Sequence, residues 1–600
     1  MERYEKARAF AYKVTHHGDR ENANKDASLN STKQALIAEG FMKDLMREEM
    51  SKEWMEAHEE GAIHIHDLGN RFLDSHNCNL FDMGKVLQGG FELAGIQYKG
   101  PGGVQSAFAV AGDVVLSASA QQYGGFTISE VDKVFAPYAK KTYEKALGYY
   151  KKMTGDTGMA ERLAHDTTVR EMEQGYQGFE TKLNTVSSAL GQIPFVTISF
   201  GLGTGDWERM VTETVLRTRM EGLGKKGTTA VFPKLVFLHR KDIADGINRD
   251  LKALAIECSR KRLYPDFLSL DEGYLSDVYE ECGKPVSPMG CRAYLSRYYH
   301  PTTGELIFEG RGNIGAVTLN LPMYALESED EVSFFEKVDH YADMVFAIHR
   351  ETYRRVGQAK GESNPLFYCE GGAWMSVGYE DYIAPVIEAF TASLGYIGLE
   401  ETSQALFGKG LDENIAFGVR VLEHLAGLVE RYRERDGHLY ALYATPAESL
   451  IERFQTINRK KHGVIVGVTD KAYMSNSFHQ HVTKKHVGAK KMLLEKPMFD
   501  ISTGGRIQYC EYPFGVDVKT LTQHVDLAMS LGLYHGVNIE SATCQECGHQ
   551  GEFHHCPRCG SEEVTSVNRC CGYLSFDKVK GKTRYNEGKR AEIKDRVDHV

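Results

Sequence analysis

Two Cys-x-x-Cys pairs near the end of the chain constrain its fold more than any other stretch. Cys544/Cys547 and Cys556/Cys559 are separated by eight residues in CQECGHQGEFHHCPRCG. Such pairs set four thiolates on two tight knuckles, the donor set of a tetrahedral zinc or iron site. A four-thiolate site is coordinatively closed, so it reads as scaffolding. Thirteen positions beyond Cys559 comes Gly572, in Arg569-Cys570-Cys571-Gly572-Tyr573. The other eight cysteines follow no disulfide-framework spacing and read mostly as buried free thiols in a reducing compartment.

The 600 residues suit two to four ordinary domains or one large barrel with appendages. A hydrophobic content of 42% is ample for a sizeable core. The net charge of −11 argues against a general basic surface for nucleic acid. Acidic residues also outnumber basic ones through 540–563, so a zinc-ribbon nucleic-acid binder is disfavoured. The N-terminus lacks a signal-peptide core, and no run of about 18 apolar residues appears. A soluble, cytoplasmic protein that does not enter membranes is expected.

Residues 1–30 read as a charged arm, and 33–60 as one amphipathic helix ending at Gly61. His64 and His66 alternate with Ile63 and Ile65; they suit hydrogen-bonded structural histidines better than a metal site. An Ala/Ser/Gly-rich helix over 105–123 invites close packing, against another helix or at a subunit interface. A helix over 127–153 and a polar segment to about 180 follow. The strand 195–200 leads through Gly201–Gly205 into a helix from 207, the setting of a phosphate cradle. The loop lacks the Walker lysine, so a tight turn is favoured. A strand over 230–238, a Gly/Pro-punctuated loop over 283–293 with Cys291 near its tip, and a strand over 316–321 come next. Helices are expected over 332–356, 381–394 and 416–435. Thr445, Pro446 and Glu448 spell a capped helix start, whose free amides form a possible phosphate site. The run 463–468 (GVIVGV) reads as a strand. Alternating strands and helices suggest one large α/β body.

Gly572 has chemistry of its own. Loss of a glycine Cα hydrogen leaves a radical stabilised jointly by the amide nitrogen and the carbonyl, at a planar carbon that any side chain would obstruct. Taken alone, a glycine here is a turn residue. The wider sequence changes that reading. ENAN at 21–24, IHIHDL at 63–68, NCNLFD at 77–82, GQIPFVTISFGLGT at 191–204 and TTAVFPKLVF at 228–237 begin a series of motifs. SPMGCR at 287–292, GNIGAVTLNLP at 312–322, SLGYIGLEE at 393–401, YATPAESL at 443–450 and RCCGYL at 569–574 continue it. In this order they resemble the anaerobic (class III) ribonucleoside-triphosphate reductases, within the glycyl radical enzymes. Cys570 departs from the Val common at that position.

The resemblance implies an α/β fold: a ten-stranded α/β barrel of the glycyl radical enzyme type with a C-terminal zinc-binding, radical-bearing module. It divides the chain into an arm and helix (1–60), a catalytic body (61–500) with the finger loop around 283–293, and a tail module (501–600). Gly572 would store the radical and Cys291 would become a transient thiyl that takes the ribose 3′ hydrogen. Cys78 would supply a hydrogen atom on the 2′ side, and Asn313 would hydrogen-bond near the 3′-hydroxyl. Thr445, Pro446, Ala447, Glu448 and Ser449 would bind the triphosphate. Cys544, Cys547, Cys556 and Cys559 would bind Zn2+. A second active-site cysteine and asparagine imply formate as reductant. A separate radical-SAM activase would supply S-adenosylmethionine chemistry and a 4Fe–4S cluster. A homodimer with nucleotide effectors at its interface is implied, the 105–123 helix being the first place to look. With ENAN beginning at Glu21, no added ATP-sensing domain and no overall activity switch through one are expected. The alternative is another glycyl radical enzyme, of the formate acetyltransferase or diol dehydratase type, with Cys570–Cys571 as a paired-cysteine site.

Overall fold

A computed structural model describes residues 2–17, 24–26, 28–186, 191–579 and 582–600. Ten strands line a barrel: β1 (Cys78–Leu80), β2 (Phe126–Ile128), β3 (Val196–Phe200), β4 (Lys234–His239), β5 (Asp266–Ser269), β6 (Gly312–Asn320), β7 (Thr391–Ile397), β8 (Leu439–Ala444), β9 (Gln508–Glu511) and β10 (Tyr534–Asn538). Their order is β8-β7-β6-β1-β2-β3-β4-β5-β10-β9. Strands β1 to β5 run parallel. So do β6 to β8, and so do β9 and β10. Two antiparallel seams join these groups, Cys78 opposite Asn313 and Leu268 opposite Tyr534. The last gap closes where Tyr443 of β8 bridges Gly505, just ahead of β9.

Parallel neighbours need long crossovers, and helices supply them. Val131–Thr154 and Thr157–Thr185 link β2 to β3, Asp206–Glu221 links β3 to β4, and Glu331–Val356 lies between β6 and β7. Strands covered on both faces should be buried throughout. Every residue of β3, β6 and β7 is.

The finger loop runs inside this wall, held by small polar side chains at alternating strand positions. Thr127 of β2 donates to the Pro288 carbonyl (3.1 Å), and Thr197 of β3 to the Gly290 carbonyl (3.1 Å). The Ser199 and Ser287 hydroxyls meet at 2.7 Å.

Beyond the barrel, a five-stranded antiparallel sheet gathers Ser541–Cys544, Gln550–Gly551, Val564–Arg569, Leu574–Val579 and Lys582–Thr583. Its central hairpin turns at Cys570–Tyr573, where the Cys570 amide donates to the Tyr573 carbonyl (3.0 Å). Gly572 is therefore a hairpin-tip residue.

Several expectations are corrected. Part of the arm is a helix, Glu2–His17, as its run of good helix formers permits; residues 18–23, and most of ENAN with them, lie outside the described residues. The single helix over 33–60 is two, Asn30–Glu49 and Lys52–Glu60, because Met50 and Ser51 leave the helical region. The polar segment after 153 is the helix Thr157–Thr185. Residues 391–394, expected as helix, begin β7, behind a single helical turn at Ala384–Ile387. The expected strand 463–468 is turns with Val464 and Val466 exposed, because no sheet edge receives it. The barrel also runs past the expected boundary at 500, since β9 and β10 both lie beyond it.

The glycine loop at 201–205 is irregular backbone between β3 and the helix Asp206–Glu221, not the tight turn expected. The Asp132 carboxylate accepts from the Gly201 (2.9 Å) and Gly203 (3.0 Å) amides, which leaves these two donors filled. No described helix is long and apolar enough to cross a membrane.

Candidate active site

The finger loop and the hairpin tip meet inside the barrel. A Cβ built on Gly572 would stand 2.5 Å from the Cys291 Cβ and 2.7 Å from its carbonyl oxygen. No real Cβ tolerates such contacts, so only glycine lets these backbones approach. Lys234 of β4 clamps the junction: its Nζ donates to the Cys291 carbonyl (2.5 Å) and to the Gly572 carbonyl. Behind it Asp266 lies 3.4 Å from Nζ and pairs with the buried Arg569 at the hairpin's end. Burial pulls the Lys234 ammonium down to about 8, against the pull of Asp266.

Two thiols face each other here, Cys291 Sγ and Cys571 Sγ, 3.8 Å apart. Burial holds Cys291 well above the ordinary thiol range. Burial also opposes ionisation of Cys571, but hydrogen bonds from Cys291 and Cys570 and the charge of Arg292 pull it down. Cys78 approaches from the first seam: the Gly125 amide donates to its sulfur (3.0 Å), and burial pushes its thiol up to about 12. A Cβ on Gly290 would stand 3.7 Å from the Cys78 Sγ, so Cys78 flanks the finger tip.

All three cysteines line one cavity of about 610 Å3, within the range of small-molecule sites. Asn313 does not reach it. Its Nδ2 donates to Ser393 (2.8 Å), while its Oδ1 accepts from the Gly315 amide (2.9 Å) and from Asn77 Nδ2 (3.2 Å). Asn77, which sequence reasoning missed, is the asparagine in the lining.

The expected capped helix start is not formed. The helix runs Leu450–His462 without a side-chain cap. The Thr445 hydroxyl is buried against that of Thr318 (2.9 Å), and the Ala447 amide donates to Asn476 (2.9 Å). Tyr573 donates to Glu448 (2.6 Å), tying the hairpin tip to this segment. Pro446, Glu448, Ser449 and Leu450 do line the cavity, whereas Thr445 and Ala447 do not.

Sequence reasoning also missed the cavity's cations, Lys25, Lys43, Arg47 and Arg453. The spacing of Lys43 and Arg47, one helical turn apart, was a usable signal. His64 and His66 are structural in part, since His66 meets Thr318 at 2.8 Å, yet both line the cavity. Burial draws His58 and His66 down to about 3, so they act as neutral hydrogen-bonding groups.

At the other end of the hairpin the four Cys-x-x-Cys sulfurs lie within 4.8 Å of one another. Cys544 and Cys559, like Cys547 and Cys556, stand 3.6 Å apart. Zn–S bonds of about 2.3 Å give tetrahedral edges of about 3.8 Å, so these residues fit a zinc ion.

The model of one protein family, anaerobic ribonucleoside-triphosphate reductase, matches residues 21–599. A relative of that name from Escherichia coli (strain K12) is 36% identical, over 97% of this chain and 83% of its own. One from Enterobacteria phage T4 is 35% identical, over 96% of each chain. Among solved structures, the anaerobic ribonucleotide reductase from Thermotoga maritima in complex with dATP and CTP superposes with a TM-score of 0.68 at 15% identity, over 96% of this chain and 97% of that one. The B12-independent glycerol dehydratase from Clostridium butyricum superposes with a TM-score of 0.54 at 10% identity, over 99% and 88% of the two chains. Those two likenesses concern the fold.

Proposed function

The chain belongs to the anaerobic ribonucleoside-triphosphate reductases, and from that premise we propose which of its residues carry the reduction. The observation that carries the reading is the contact of Gly572 with Cys291 at the wall of the large cavity. Gly572 stores the radical, and Cys291 passes its S–H hydrogen to it and becomes the thiyl. That thiyl takes the ribose 3′ hydrogen, which loosens the 2′-hydroxyl so that it leaves as water. Cys78 supplies a hydrogen atom from the opposite side of the finger tip. Asn313 acts through Asn77, holding that amide toward the ribose.

Pro446, Glu448, Ser449 and the first turn of the Leu450 helix receive the triphosphate, with Lys43, Arg47 and Arg453 supplying charge. Formate is the reductant, a reading supported by the presence of both Cys78 and an asparagine pair. Cys544, Cys547, Cys556 and Cys559 hold zinc, which fixes the root of the radical hairpin. A separate radical-SAM activase generates the radical. The enzyme works as a homodimer.

A second cavity of about 400 Å3 supports an effector site. It lies at the N-terminus of the helix Val104–Ser119, beside Gln105, Ser106 and Lys145. A Thermotoga maritima relative is described with dATP bound in the specificity site.

The deciding experiment is anaerobic incubation with activase, S-adenosylmethionine and reductant, followed by EPR. A glycine doublet that collapses in protein labelled with α-deuterated glycine is expected, together with formate-dependent reduction of CTP. A protein fully competent to reduce CTP with no glycine-centred signal would refute the assignment.

A further inference from the structure

Lys234 stands fully buried on β4. Its Nζ donates to the carbonyls of Cys291 (2.5 Å) and Gly572, the two residues between which a hydrogen atom is to pass. One carbonyl belongs to the finger loop and the other to the hairpin tip, so a single ammonium serves both.

A clamp alone does not need a charge. Two other carbonyls of the finger loop, those of Pro288 and Gly290, are held by the neutral hydroxyls of Thr127 and Thr197 (3.1 Å each). Burying an ammonium is costly, and a neutral donor would avoid that cost. Asp266 offsets only part of it. It lies 3.4 Å from Nζ, but both of its oxygens also accept from Arg569. Lys234 therefore shares its counter-charge, and its shortest contacts are the two carbonyls.

Those carbonyls differ in what a charge can do to them. Once the Gly572 Cα has lost a hydrogen and become planar, its carbonyl is conjugated with it and shares the unpaired electron. A cation on that oxygen strengthens the withdrawal, in a buried site where a charged hydrogen bond is strong. The Cys291 carbonyl is separated from Sγ by two saturated carbons, so the same contact cannot spread the electron of a thiyl. The ammonium thus favours the electron on Gly572 over the electron on Cys291.

We propose that Lys234 sets where the unpaired electron rests, by polarising the Gly572 carbonyl. This role rests on the reading of Gly572 as the radical site. Lys234 acts through a backbone carbonyl and is a positioning residue. The exchange it biases is balanced in itself. The Cys291 S–H bond breaks, the Gly572 Cα–H bond forms, and the unpaired electron passes from carbon to sulfur. The charge favours the reverse step, which returns the electron to glycine after each turnover.

The test uses full-length enzyme, activated anaerobically, with Lys234→Gln and Lys234→Met. Gln keeps a donor for the clamp and removes the charge, whereas Met removes both. The glycyl doublet arises from the hydrogen left on the Gly572 Cα, and its splitting follows the share of the electron on that carbon. Both variants are expected to show a wider doublet, and a stored signal whose lifetime is shorter by about tenfold. Wild-type splitting and lifetime in Lys234→Gln would reduce the residue to a clamp and overturn the proposal. Should neither variant hold a radical, wild type decides. Purified and activated in D2O, it should show by ENDOR a deuteron coupled to the radical across the Gly572 carbonyl, and absence of that coupling overturns the proposal equally. An active wild type with no glycine-centred signal would instead remove the radical assignment itself.

Discussion

The radical hairpin has two ends, and they are built on opposite plans. At its root Cys559 is exposed, and the knuckle meets the loop at 223–228, where Lys226 donates to the Glu546 carbonyl and Gln550 to the Gly227 carbonyl (2.7 Å). At its tip Cys570, Cys571 and Tyr573 are buried, and the Gly572 carbonyl is held by Lys234. A six-residue strand, Val564–Arg569, separates them, which is about 20 Å of extended chain. No ion at the root can touch the chemistry at the tip. What it can do is set the angle at which the hairpin enters the barrel. On the proposed reading the conspicuous cysteines are an anchor, and the reacting group is a residue without a side chain.

The largest expected contrast comes from the tip. Gly572→Ala should remove both the glycyl signal and all CTP reduction, since the new Cβ overlaps Cys291 as well as deleting the radical site; a surviving doublet would break the contrast. Cys291→Ser should keep the doublet and lose the product, which separates storage of the radical from its use. Cys547→Ser at the root should release the metal, measured by elemental analysis, and lower the yield of radical per chain. The product formed by the chains that do activate should still be the 2′-deoxynucleotide.

Lys234→Met should act between these extremes, loosening both loop carbonyls. Its pH signature has a definite sign. The folded ammonium titrates near 8 and the unfolded one near 10.5. Between those values the unfolded chain holds the extra proton, so this residue's contribution to stability rises with pH. The contribution is complete above 10.5 and is lost as pH falls through 8. Chemical denaturation should therefore show stability rising across this window in wild type, and no such rise from this residue in Lys234→Met. The smallest effect belongs to Tyr573→Phe, which deletes one hydrogen bond to Glu448 and should cost about 1 kcal/mol of hairpin stability.

How much of this was legible in the sequence follows from what each residue had to announce. The Cys-x-x-Cys pairs stand at a spacing their chemistry dictates, whereas Gly572 and Cys291 were legible only through motifs that resemble the reductase family. The barrel was another matter. Strands such as Cys78–Leu80 and Phe126–Ile128 are three residues long, too short for any periodicity to show. GVIVGV looked more like a strand than either, but pairing decides, and it has no partner. The Thr445 capping motif failed because Thr318 competes for its hydroxyl. Lys234 gave no sign at all, since its meaning depends on two carbonyls contributed 57 and 338 residues later.

The closure of the barrel at Gly505 carries one more consequence. Gly505 pairs with Tyr443 and with Ala293 of the finger loop, and a Cβ there would stand 2.4 Å from the Tyr443 ring and 2.8 Å from the Arg292 carbonyl. The finger loop therefore has no finished seat until residue 505 has been synthesised, and Cys291 has no glycine partner for 67 residues more. At roughly 5–20 residues per second, the growing chain carries that thiol for on the order of tens of seconds before Gly572 exists. On the proposed reading a nascent chain cannot be armed early, because Gly572 follows Cys291 by 281 residues.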